Sequence, residues 1–199
     1  MIIDELIFDR TAADVERVNE LKRKIVSYAG IASLTPEELA EYMGGMKGAY
    51  NYTDLNRVGQ AVAYLAPLVA ALPGEIDAYR ISKGVLMTES IDIGYTAADV
   101  VVNPKTDWAV TDTPTLTQMM SYIEDVHVLE DCLHPFLPPD NPYPPMHAQG
   151  LDWVGANAIE KTLYNCYWII PVVRSQMFER IDSLALSYIY SGEIYSGEM

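Results

Sequence analysis

The sequence predicts a mainly α-helical protein of two helix-pair halves packed together, joined by a short extended or β-hairpin connector. Three observations predict it. Apolar residues recur three and four apart over long stretches, capping signals precede those stretches, and the third and last stretches align at a fixed offset. A chain of 199 residues suits one domain or two small ones sharing a core. Half the residues are hydrophobic and only 21% are charged, which supplies a packed interior and argues against disorder.

The first helix is signalled by Thr11-Ala12-Ala13-Asp14, where side-chain oxygens can bind the free amides of the first turn. Val15, Val18, Leu21 and Ile25 then form one apolar stripe. A short second helix opens at Thr35-Pro36-Glu37-Glu38, with threonine as cap, proline in the first turn and Glu38 reaching back. Gly44-Gly45 ends it. The third helix starts near Thr53, carries Leu55, Val58, Val62, Leu65 and Val69, and is expected to stop at Pro73-Gly74. From Ile76 to Asn103 the pattern changes. Ser90 to Tyr95 alternates and Val100-Val101-Val102 is β-branched, so a hairpin or an extended connector is expected.

The second half repeats the plan. Thr115-Leu116-Thr117-Gln118 is another capping box, followed by an apolar face of Met119, Tyr122, Ile123, Val126, Leu129 and Leu133. Pro135 to Pro145 holds six prolines in eleven residues and cannot be helix, because proline lacks the amide donor. The last helix starts near Asp152, and Pro171 should kink or interrupt it. The division is therefore 1–75 as N-terminal helical half, 76–110 as connector, 111–186 as C-terminal helical half with its proline-rich loop at 135–145, and 187–199 as an extended tail.

Third and last helices align from Tyr52 with Trp153 through Asn56 with Asn157, Val58 with Ile159, Val62 with Leu163, Leu65 with Cys166 and Leu68 with Ile169. This is either an internal duplication or the chance match that two amphipathic helices give. In both cases two helices cannot enclose a core alone, so each half must pack on the other or on another subunit.

A formal net charge of -15 repels phosphate, which makes nucleic acid and anionic membrane surfaces unlikely partners. Lys22-Arg23-Lys24 complements the dipole of the first helix. The start Met1-Ile2-Ile3-Asp4-Glu5 is acidic where a secretory signal is basic, and the apolar runs at 61–72 and 166–173 are read as too short to span a bilayer. Cys132 and Cys166 read as small core residues of a protein made in a reducing cytoplasm.

Chemistry-bearing clusters are few. His127, Asp131 and His134 share helical spacing beside Cys132, but one helix presents ligands from too few directions for a metal. Surface or capping histidines are the simpler reading. There is no nucleophile elbow and no phosphate-binding glycine loop, so neither catalytic residues nor a cofactor or metal site is assigned. Fourteen tyrosines and three tryptophans form either a binding face or half-buried helix seams. Tyr190-Ser191-Gly192-Glu193-Ile194 is repeated at once as Tyr195-Ser196-Gly197-Glu198-Met199. This proline-free segment is either a frayed end or a strand for addition to a partner.

Asp9 to Val15, Met46-Lys47-Gly48-Ala49-Tyr50-Asn51-Tyr52-Thr53-Asp54-Leu55-Asn56-Arg57-Val58, Lys105-Thr106-Asp107-Trp108, Ala156 to Glu160 and the Tyr-Ser-Gly-Glu ending together resemble a family of small proteins from Firmicutes prophages and gut phages. The resemblance spans nearly the whole chain, and the block from Tyr50 to Val58 is its most specific part. Gly59 departs from it, since glutamate is common there; Pro171 and the proline-rich loop are also unusual. The resemblance implies a non-enzymatic virion component of tail, baseplate or tail fibre, oligomeric in the particle and contacting other tail proteins. A receptor-binding module for host-surface glycan or protein is the alternative. Tyr50, Tyr52, Trp108, Tyr190, Glu193, Tyr195 and Glu198 are the expected contact residues.

Overall fold

The computed structural model describes residues 1–27, 30–88, 90–147 and 151–191, without the side chains of 189–191. Among the described residues there are five α-helices and no strand: α1 (Ala12–Ser27), α2 (Pro36–Met43), α3 (Tyr52–Ser82), α4 (Leu116–Leu133) and α5 (Trp153–Ser191). The mainly helical class is as predicted, and so are most helix starts. Thr35 with Glu38 and Thr115 with Gln118 form reciprocal capping boxes, and Asn51 with Asp54 forms a further one ahead of α3. Each cap satisfies amides that have no partner inside the helix.

Helix ends at prolines differ from expectation. α3 does not stop at Pro73-Gly74 but runs to Ser82 with Pro67 and Pro73 inside it. Proline at 73 leaves the Val69 carbonyl without its helical donor. Tyr95 from the connector supplies one, its hydroxyl donating to Val69 O at 3.0 Å. Pro171 likewise lies on an exposed face within α5, which continues to Ser191, so the tail expected from 187 begins as helix. With its prolines absorbed, α3 is long and apolar enough to cross a membrane by length and composition, correcting the expectation that no run reaches that length. Its buried stripe packs on α4 and α5.

α3 and α5 run parallel. Arg57 meets Glu160, Tyr64 approaches Tyr167, Arg174 meets Glu75 and Tyr79 stacks on Phe178, so partners advance together along both helices. Residues 83–88 and 90–115 return along α3 as turns, extended chain and one short 3-10 turn, with no hairpin among the described residues. α4 then packs against both long helices, and Leu65, Val69, Leu129, Leu133, Leu163 and Cys166 lie in the common core. α3, α4 and α5 thus form a three-helix core. α1 packs on α2 and the turn at 30–33, burying Val18 and Leu21 outside the main cluster.

The alignment of the long helices extends to their burial. Leu55, Val58, Gly59, Ala61, Val62, Leu65, Val69, Leu72 and Ile76 are buried on α3. So are their α5 counterparts Ala156, Ile159, Glu160, Thr162, Leu163, Cys166, Ile170, Val173 and Met177.

Candidate functional site

The segments at 9–15, 46–58, 105–108 and 156–160 converge at the N-terminal ends of α3 and α5. Asn56 on α3 clamps the incoming segment of the second half: its amide nitrogen donates to Trp108 O at 2.9 Å and its oxygen accepts from Trp108 N at 2.7 Å. Asn157 on α5 does the same for the first half, donating to Arg10 O at 2.8 Å and accepting from Arg10 N at 3.1 Å. Each long helix therefore holds the segment that leads into the other half. One residue beyond each clamp the likeness persists. The Thr11 amide donates to Asp14 Oδ2 at 2.7 Å and the Ala109 amide to Asp112 Oδ2 at 3.0 Å.

Between the clamps lies a buried ionic network. Arg10 Nη2 donates to Asp54 Oδ1 at 2.9 Å and to Glu160 Oε1 at 2.7 Å. Arg57 donates from Nε to Glu160 Oε2 and from Nη2 to Glu160 Oε1, both at 2.9 Å, and it also bonds Asp54. The Ile7 amide donates to Glu160 Oε2 at 2.6 Å. Two guanidinium groups thus face two carboxylates, a balance that burial in low dielectric demands. Burial works against the charge on Arg57, yet the hydrogen bonds and negative charge of Glu160 and Asp54 outweigh it and hold its pKa above the ordinary value.

Tyr50 and Tyr122 share a hydrogen bond through their hydroxyls, with the Arg10 guanidinium over the Tyr50 ring at 5.3 Å. Burial, and then the charge of Glu160, push the Tyr50 phenol up; burial also leads the rise at Tyr122, so both stay protonated. The loop before α3 is pressed on the start of α1. A side chain at Gly48 would put its Cβ 2.2 Å from the Asp14 carbonyl oxygen, so only glycine fits there.

Beside the network an open groove of about 780 Å³ runs between α1, the α2–α3 loop and residues 108–114. Tyr50, Tyr52 and Trp108, three of the expected contact residues, all line it. Exposed Met43 and Val110 form its apolar rim. Trp108 is only 5% exposed, and its indole Nε1–H has no acceptor among the described residues. Lys105 Nζ lies 4.9 Å from the centre of its ring. Tyr190 lies in the last turn of α5 with its side chain outside the described set, and Glu193, Tyr195 and Glu198 fall beyond the described residues.

Comparison with family models, curated proteins and solved structures returns no match.

Sequence reasoning missed Arg10, Asp54, Arg57 and Glu160. The available signal was charge on the inward register of α3 and α5: Gly59 and Glu160 fall at matching positions of the alignment. His127 and His134 do not converge. His127 Nε2 lies 3.3 Å from Pro145 O, while His134 Nδ1 meets Glu130 Oε1 at 2.6 Å. No group of three metal-ligating side chains occurs among the described residues. Cys132 and Cys166 are buried free thiols; burial raises the Cys132 pKa to about 11 and pushes Cys166 up further, which keeps both unreactive.

Proposed function

We propose that this chain is a virion structural protein of a phage tail, baseplate or tail fibre, acting by protein–protein contact and without catalysis. The observation that carries the reading is the junction at the head of α3. Within the block most like the phage proteins, Tyr50, Asp54, Asn56 and Arg57 all bond other parts of the chain, and Asn51 caps the helix that carries the last three. That block builds a rigid scaffold beside an apolar groove, as a docking protein requires. The charged groups at the junction neutralise one another, so they serve architecture, not substrate chemistry. Partners are other tail proteins, reached after assembly in the host cytoplasm, with no nucleic acid, membrane or cofactor involved. Mass spectrometry of purified particles should find the protein in stoichiometric amounts. Its absence from particles, with expression during the lytic cycle, would sink the reading.

One feature favours a receptor-binding alternative. Trp168 is 52% exposed on α5, flanked by Tyr164 and Tyr167 with ring centroids 6.2 and 5.2 Å away. Exposed aromatic ridges stack on sugars and on protein side chains. Binding to host cells that vanishes in Trp168→Ala, while particle incorporation persists, would favour this second role.

A further inference from the structure

The groove beside Trp108 has an occupant suggested by the chain's own sequence. We propose that it receives the Tyr-Ser-Gly-Glu segment, residues 192–199, of a second copy, so that copies associate head to tail. The inference deepens the docking role proposed above and rests on it only for its biological setting.

Geometry forbids the segment from filling its own groove. α3 and α5 are parallel, and the groove lies at their N-terminal end, beside Tyr52. α5 has 39 residues, so at 1.5 Å per residue its far end is about 58 Å away. Eight residues, 192 to 199, reach at most about 28 Å when fully extended. A neighbouring molecule is the one place where segment and groove can meet.

Chemistry matches the two surfaces. The groove offers tyrosine and tryptophan walls with Met43 and Val110 at the rim, suited to Ile194, Tyr195 and Met199. Lys22 lines the groove, is exposed, and forms no ion pair among the described residues of a chain with net charge -15. It suits Glu193 or Glu198. Joining a C-terminal segment to the opposite end of the next molecule is a heterologous contact, which closes into rings or extends into filaments.

The test uses the purified chain and a fluorescent peptide of residues 187–199. The full chain should form assemblies whose mass rises with concentration, and a chain lacking 192–199 should be monomeric by light scattering. The peptide should bind the shortened chain by anisotropy. Val110→Asp and Lys22→Glu, both exposed and each with an unchanged circular dichroism spectrum, should weaken it at least tenfold. A peptide with alanine in place of Ile194 and Tyr195 should bind at least tenfold more weakly. A monomeric full chain, a peptide that does not bind, or binding indifferent to the Val110 and Lys22 changes would each overturn the proposal. Assembly that survives deletion of 192–199 would overturn it too, since another surface then joins the copies. None of these outcomes bears on whether the protein is in the particle, which mass spectrometry decides separately.

Discussion

Asn56 and Asn157 hold their segments with the same pair of hydrogen bonds, yet three residues further along each helix the halves diverge. On α5 that position is Glu160, whose carboxylate binds Arg10, Arg57 and the Ile7 amide. On α3 it is Gly59, and a Cβ there would lie 2.3 Å from the Lys105 carbonyl oxygen. One side is closed by charge and the other by direct backbone approach. A two-fold arrangement can thus keep its hydrogen-bond clamps while its centre becomes one-sided, because one carboxylate suffices to complete the balance of two arginines with Asp54. The capped helices diverge as well. α4 enters the core, whereas α1 swings out onto α2 and leaves the groove between itself and the body.

Breaking the charged side should have the largest effect. Glu160→Ala leaves Arg10 and Arg57 short of a buried counter-charge, and should cost about 3–5 kcal/mol in denaturant unfolding. A loss below about 1 kcal/mol would show that the network does not hold the halves together. On the other side, Gly59→Ala should cost about 1–3 kcal/mol, because the neighbour is backbone and cannot turn aside. Gly74→Ala in the same helix meets nothing within 4 Å and should instead gain up to about 1 kcal/mol. Equal effects at the two glycines would remove the close approach as the cause.

The clamps sharpen the likeness. Asn56→Ala and Asn157→Ala each strand a backbone amide and carbonyl, and each should cost about 1–3 kcal/mol. Thermal unfolding of both variants should agree closely if the halves are equivalent here. A harmless change at one of them would mean that its segment is held by other contacts.

The smallest effect lies on α4, at the pair that has no counterpart on α1. The hydrogen bond and then the charge of Glu130 raise the His134 pKa above its ordinary value. A raised folded-state pKa stabilises the protein fully below the unfolded value of about 6.5, and the contribution fades as pH rises through the folded value. His134 is exposed, so the effect is modest. The difference in Tm between the wild type and His134→Gln should be positive below the unfolded value and fade as pH rises through the folded one. A pH-independent difference would assign the effect to packing.

Local signals in the sequence served well and distant ones did not. Thr35 with Glu38, and Thr115 with Gln118, mark their helix starts because a cap involves neighbours only three residues apart. Pro73 misleads because the group that compensates it, the Tyr95 hydroxyl, arrives from 22 residues further on. The alternation at 90–95 places Ile91 and Ile93 in the core from a turn, not a strand, since no second strand pairs with it among the described residues. Tyr50, Tyr52 and Trp108, expected as partner contacts, line one groove. The ionic network was not legible, because Arg10 and Glu160 are 150 residues apart and nothing local records their pairing. Gly59 looked like a departure from a motif. Only the shared register of α3 and α5 shows that its missing carboxylate has a counterpart on the other helix.

The reciprocal clamps also set an order of events during synthesis. Residues 7 and 10 leave the ribosome early, yet their bonding partners at 157 and 160 are made some 150 residues later. The α1–α2 unit can form at once from neighbouring contacts, and the segment before α1 can meet α3 through Arg10 and Asp54, but its clamp must wait until α5 emerges. The contacts of residues 7 and 10 are therefore completed late, and a ribosome that stalls before residue 157 leaves Arg10 without its clamp and without Glu160 at the end that bears the groove.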